Sequence, residues 1–132
     1  LWKNMEREIV VYWKEENVPY KTVKSLAITN PKSPYRFTNG IGIGTTMEEL
    51  VRLNGKVPIS FIGFEIDHYL AGLFGGFNEG ELSREIPCFG GQFDYQGDAM
   101  GITGDDIFKS DNPAVKKNKL KLIMIGILNG QD

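Results

Sequence analysis

The residues that most often carry chemistry are scarce in this chain. Among its 132 residues there is one cysteine, Cys88, and one histidine, His68. A lone cysteine excludes a disulfide within the chain and a zinc site built on thiolates. An excess of positive charge is also missing. Lysine and arginine number 15 against 17 aspartates and glutamates, a formal charge of −2, whereas a nucleic-acid surface shows as a basic excess. No apolar run approaches the roughly 20 residues that a membrane-spanning helix needs; the most apolar stretch, Leu120 to Leu128, suits one strand. An initiating methionine is absent as well. The chain opens at Leu1, which fits a mature or trimmed product, one from which a signal peptide or lipid-anchor segment could have been removed.

What is present is an ordinary globular mixture, 41% apolar and 24% charged, in a length that suits one domain over residues 1–132. A domain of this size buries roughly two-thirds of the surface its unfolded chain exposes. One core can therefore form without disulfides or a structural metal.

Glu8 to Lys14, EIVVYWK, is rich in β-branched and aromatic residues and reads as a strand. Glu15-Glu16-Asn17 turns the chain, and Pro19 to Thr29 reads as a second strand. The two prolines of NPKSP, residues 30–34, break regular structure. In NGIGIGTTMEELVRLNG, Asn39 to Gly55, glycines alternate with Ile41 and Ile43, which puts both isoleucines on one face of an extended segment. Thr45 and Thr46 each have a glutamate three residues on, the capping-box spacing. Met47, Leu50, Val51 and Leu53 then form an apolar stripe, and Gly55 stops the helix. A helix of about two turns does not stand alone in water, so it must dock on a sheet.

Pro58 to Glu65 and Tyr69 to Phe74 read as paired strands joined near Asp67-His68, and Gly75 to Gly80 as a turn. Glu81 to Ile86 and Gly91 to Tyr95 are weaker strands, and Gln96 to Asp106 is a loop. Asn112-Pro113 opens a short helix to Asn118, and Lys119 to Leu128 closes the chain as a strand. Gly101-Ile102 echoes Gly40-Ile41, each leading into a helix and a strand. The connections are mostly too short for parallel crossovers. The expectation is an α+β fold: mainly antiparallel β-sheet with one or two short helices packed on one face.

The glycine-rich stretch is the first place to look for phosphate binding. A P-loop ends in Gly-Lys followed by Ser or Thr, but this segment ends Gly44-Thr45-Thr46. A dinucleotide fingerprint is GxGxxG in a parallel unit; the spacing here is GxGxG. Threonine hydroxyl and glutamates already fill the anion's place at the helix start, so no cofactor is expected. His68 has Asp67 beside it and Glu65 nearby, a set that could converge in a turn as a metal site or an acid/base pair. A metal usually takes three or more ligands, and a polar turn in which Asp67 bonds its own backbone accounts for the same residues. Cys88 reads as a small hydrophobe among apolar neighbours; as a nucleophile it would need His68 close in space. Asp94, Asp98, Asp105, Asp106 and Asp111 make an acidic loop without the spacing of a calcium loop. Lys116, Lys117, Lys119 and Lys121 read as a solvated face. Aromatic residues are numerous and mostly belong in the core; several exposed on one sheet face would make a binding patch.

The run Gly42-Ile43-Gly44-Thr45-Thr46-Met47-Glu48-Glu49-Leu50, ending at Asn54-Gly55-Lys56-Val57-Pro58, resembles the helix–turn–strand motif of small bacterial envelope domains, the BamE-like outer-membrane assembly lipoproteins and the β-lactamase inhibitor proteins. Tyr35, Phe37-Thr38-Asn39-Gly40-Ile41, Gly63-Phe64-Glu65-Ile66-Asp67 and Phe108 to Pro113 are similar to secreted or periplasmic bacterial domains of unknown function. The resemblance implies a periplasmic or cell-surface address and a protein–protein or assembly role, and it carries over no catalytic residue. The expectation is a non-enzymatic envelope domain that binds another protein or a surface polymer through a sheet face or loops. Its candidate binding residues are Glu65, Asp67, His68, Tyr69 and Asp94, with no metal ligand assigned. The alternative is a small hydrolase or metal-dependent enzyme centred on Asp67 and His68, joined by Asp94 and Cys88.

Overall fold

A computed structural model describes residues 2–64, 71–95, 101–104 and 106–129. In chain order they form β1 (Val10–Trp13), β2 (Val23–Ile28), α1 (Met47–Leu53), β3 (Ser60–Ile62), β4 (Phe74–Gly76), α2 (Leu82–Glu85), β5 (Phe89–Asp94), β6 (Ile107–Lys109), α3 (Pro113–Asn118) and β7 (Lys121–Leu128). The strands make two antiparallel sheets, ordered β1-β2-β7-β5 and β4-β3-β6. Leu73 bridges Gln92, and the Phe93 N–H donates to the Gly72 carbonyl at 2.7 Å, so the second sheet is tied to β5 of the first. The fold is α+β and mainly antiparallel.

The helices form where local chemistry closes their ends. Thr46 is the N-cap of α1, and its hydroxyl oxygen accepts the Glu49 N–H at 3.2 Å. The neighbouring Thr45 does a different job: buried, it accepts the Gly42 N–H at 3.0 Å. That bond, with the Thr45 N–H to Gly42 carbonyl bond at 3.1 Å, turns the chain at residues 42–45. The glycine-isoleucine stretch is therefore not a plain extended segment. Ile41 is fully buried and Ile43 half-buried, and Gly44 sits at φ +96°, a left-handed conformation that glycine adopts without strain. Asn112 caps α3 by accepting the Ala114 N–H at 2.9 Å, with Pro113 at the first position.

Three elements differ from the sequence expectation. Residues 81–86 hold α2 and not a strand: Leu82 and Ile86 are buried while Arg84 between them is exposed, and on a strand all three would share one face. The partner of β3 is Phe74–Gly76, where Tyr69 to Phe74 was expected. Gly75 belongs to this strand because its Cα passes beside the Ser60 backbone, where a Cβ would lie 3.2 Å from the carbonyl oxygen. Strand β6, just after the expected loop, is only three residues long and is held by pairing with β3. The echo between Gly40-Ile41 and Gly101-Ile102 has a structural counterpart: both glycines sit at φ +90°, and both isoleucines are fully buried.

The core is built of phenylalanine and branched aliphatics. All 8 phenylalanines join two ring clusters, one of Phe61 with Phe64, Phe93 and Phe108, the other of Phe37, Phe74, Phe77 and Phe89. A bulge in β7 serves this packing. Phe93 pairs with Leu122 and Gln92 with Met124, so Ile123 is the extra residue, partly exposed, while Leu122 and Ile125 both turn inward. Asn54 joins α1 to α2. Fully buried, its amide donates to the carbonyls of Val57 at 3.0 Å and Phe77 at 2.9 Å, and its oxygen accepts the Leu82 N–H at 3.0 Å. The residue preceding α2, Glu81, makes no capping bond, so Asn54 satisfies this helix start from across the fold.

Candidate functional site

Four of the residues singled out in the sequence, Glu65, Asp67, His68 and Tyr69, lie outside the described residues. Asp94 ends β5 exposed, its carboxylate accepting the Tyr95 N–H at 2.9 Å in a local turn. Cys88 is free and half-buried, and its carbonyl is taken by the Leu128 N–H at 2.7 Å. Among the described residues no group of three or more His, Cys, Asp or Glu could hold a metal ion, and no helix is long and apolar enough to cross a membrane. Several backbone donors around the start of α1 have protein partners. The N–H groups of Gly44 and Met47 donate to Leu122 and Leu120, each at 2.8 Å, and those of Gly42 and Glu49 to the two threonine hydroxyls. These bonds, with the Thr46–Lys121 bridge, dock the glycine-rich stretch against β7.

The surface that stands out is the β1–β2 hairpin. The order β1-β2-β7-β5 leaves β1 at the edge of its sheet. Tyr12 and Trp13 end β1 at 52% and 41% exposure, and Val18 and Tyr20 in the connecting loop reach 75% and 47%. Trp13 and Tyr20 stack with centroids 5.8 Å apart and planes at 24°. The loop between them is closed at its base. The Lys14 N–H donates to the Thr22 carbonyl at 2.9 Å, and the Thr22 N–H donates to Glu15 Oε2 at 3.0 Å. The Thr22 hydroxyl bond, chiefly, holds the Glu15 carboxyl below the usual glutamate range, with burial opposing and backbone bonds assisting.

An apolar groove runs beside this edge. Val11 pairs with Leu26, Leu26 with Ile127, and Ile127 with Phe89, so these four residues form one row across one face of the sheet. On that face Leu26, Ile28, Ile125 and Ile127 line a groove of about 230 Å³ whose far wall is Tyr35 and Phe37. Ile127 remains 44% exposed. The next row, Tyr12-Ser25-Leu128, faces the other side, where Leu128 is 51% exposed. Both faces of the hairpin end thus offer apolar side chains, which globular surfaces normally avoid in clusters. The division follows ring chemistry: the buried aromatic clusters are of phenylalanine, while the exposed rings of the hairpin are tyrosine and tryptophan, whose polar atoms suit them to half-wet positions.

No protein-family model, curated protein or solved structure matches the chain.

Proposed function

We propose that this chain is a non-enzymatic binding domain of the bacterial cell envelope that takes an extended segment of another protein along β1. The observation that carries the reading is a sheet edge, β1, whose loop end carries exposed aromatic side chains, with an apolar groove over the neighbouring strands β2 and β7. An edge strand offers backbone donors and acceptors that a partner strand can use, and alternate side chains of that strand then find pockets beside it. Tyrosine and tryptophan are the residues that most often anchor such contacts. The flanking charges Arg7, Glu8, Lys14, Glu15 and Glu16 discourage the edge from pairing with a second copy of itself. The envelope address rests on sequence resemblance alone, that of residues 42–58 and of the segments around Tyr35 to Ile41, Gly63 to Asp67 and Phe108 to Pro113.

The test is capture from native envelope extract on immobilised protein, followed by purification of the captured partner and titration. The triple variant Tyr12→Ser, Trp13→Ser, Tyr20→Ser should bind the purified partner about tenfold or more weakly, while keeping the wild-type circular dichroism. Equal affinity of the variant would overturn the reading.

A further inference from the structure

A second concavity lies away from the hairpin, between α1 and α3, and shares no residue with the surface just described. Its volume is about 590 Å³, within the range of small-molecule sites. The floor is apolar, formed by Met47 and Val51 of α1, Val115 of α3, and Leu120. Three lysines stand around it, Lys56, Lys116 and Lys119, against two acids, Glu48 and Asp111. The cleft is thus positive in a chain whose formal charge is −2. Among the described residues, none of these three ammonium groups has a carboxylate within 4.0 Å. Two of the lysines also occupy unfavourable backbone. Lys56, beyond the end of α1, sits at φ +66°, and Lys119, at the end of α3, at φ +49°. These are left-handed positions where glycine is the usual residue, and a side chain there stores about 1 kcal/mol or more of strain. Both positions follow a helix end, so glycine can replace either lysine without backbone strain.

We infer that the α1–α3 cleft binds a small aliphatic molecule with an anionic head, of the chemistry of a medium-chain carboxylate. The alkyl chain lies on Met47, Val51, Val115 and Leu120, and the carboxylate meets the ammonium groups of Lys56, Lys116 and Lys119. This inference is independent of the hairpin reading, and either can fail alone.

Decanoate below its micelle concentration is the probe, with ¹⁵N-labelled protein and amide shifts as the readout. Saturable shifts at Met47, Val51, Val115, Lys116 and Lys119 are expected, with a Kd in the submillimolar to millimolar range. Acetate and inorganic phosphate, which are heads without tails, and decylammonium, a tail with the opposite charge, should each bind at least about tenfold more weakly. The pair Lys56→Gly and Lys119→Gly separates binding from folding. These variants should melt at or above the wild-type temperature, since glycine relieves both left-handed positions, yet lose about tenfold in decanoate affinity. Lys116→Glu should lose affinity without a change in fold. Absence of shifts, shifts confined elsewhere, equal binding of decylammonium, equal binding of either head alone, or undiminished affinity in the glycine pair would each overturn the inference.

Discussion

Replacing Asn54 by alanine tests how this fold is held together. The side chain makes three hydrogen bonds from a fully buried position, and two of its partners, the Phe77 carbonyl and the Leu82 N–H, are themselves in buried surroundings. Removing the amide leaves the Leu82 N–H without a bond, while the Phe77 carbonyl keeps the Gly80 N–H at 3.0 Å. The orphaned donor costs about 1–3 kcal/mol and the lost bonds to the Val57 and Phe77 carbonyls about 1 kcal/mol each, so the variant should lose roughly 3–5 kcal/mol. That is a large share of the roughly 5–15 kcal/mol that stabilises a typical domain, and it corresponds to a fall in Tm of roughly 10–20 °C. Asn54→Asp keeps the acceptor for Leu82 but turns a charged oxygen toward the Val57 and Phe77 carbonyls, so at neutral pH it should be at least as harmful. Urea denaturation followed by circular dichroism reads both. A loss below about 1 kcal/mol for Asn54→Ala would refute the view that this residue unites α1 with α2.

Other outcomes follow from the same geometry. A Cβ at Gly80 would run into the Asn54 amide, so Gly80→Ala should destabilise the wild type markedly and the Asn54→Ala background much less, a non-additivity that a double-mutant cycle measures by denaturation. Thr46→Ala removes the α1 cap and should lower stability by about 1 kcal/mol in the same assay. The Glu15 carboxyl is held below its ordinary range by Thr22. Its contribution to closing the hairpin loop is therefore present above the ordinary glutamate value and lost as pH falls through the lower folded value. The Thr22 amide resonance should titrate with that depressed midpoint, and Glu15→Gln should abolish the titration.

The parts of this fold that were legible in the sequence are those set by neighbours along the chain. The threonine–glutamate spacing announced α1, Asn112-Pro113 announced α3, and the apolar run announced β7, because caps and hydrophobic runs act within a few residues. What escaped was set by distant partners. Glu81 to Ile86 reads as a weak strand, while the structure holds α2 there, its start satisfied by Asn54 from 28 positions away. Strand β6 has three residues and no pattern of its own; Ser60 to Ile62 defines it. Asn54 reads as a helix stop, while its decisive bonds are to residues 23 and 28 positions away. Of the candidate site, the exposed aromatics were foreseen only as a possibility. Trp13 and Tyr20 lie in stretches as strand-like as those of the core; Trp13 is exposed at the end of the edge strand β1 and Tyr20 in the loop beyond it, placements set by topology.

Hydrogen exchange of the β1 amides in complex with the purified partner tests the docking proposal most directly. If the partner adds a strand at this edge, amides within Val10 to Trp13 gain protection on binding, and the Tyr12, Trp13 and Tyr20 serine variant shows no such gain at the same partner concentration. Unchanged exchange in β1, with protection appearing elsewhere on the molecule, would contradict it.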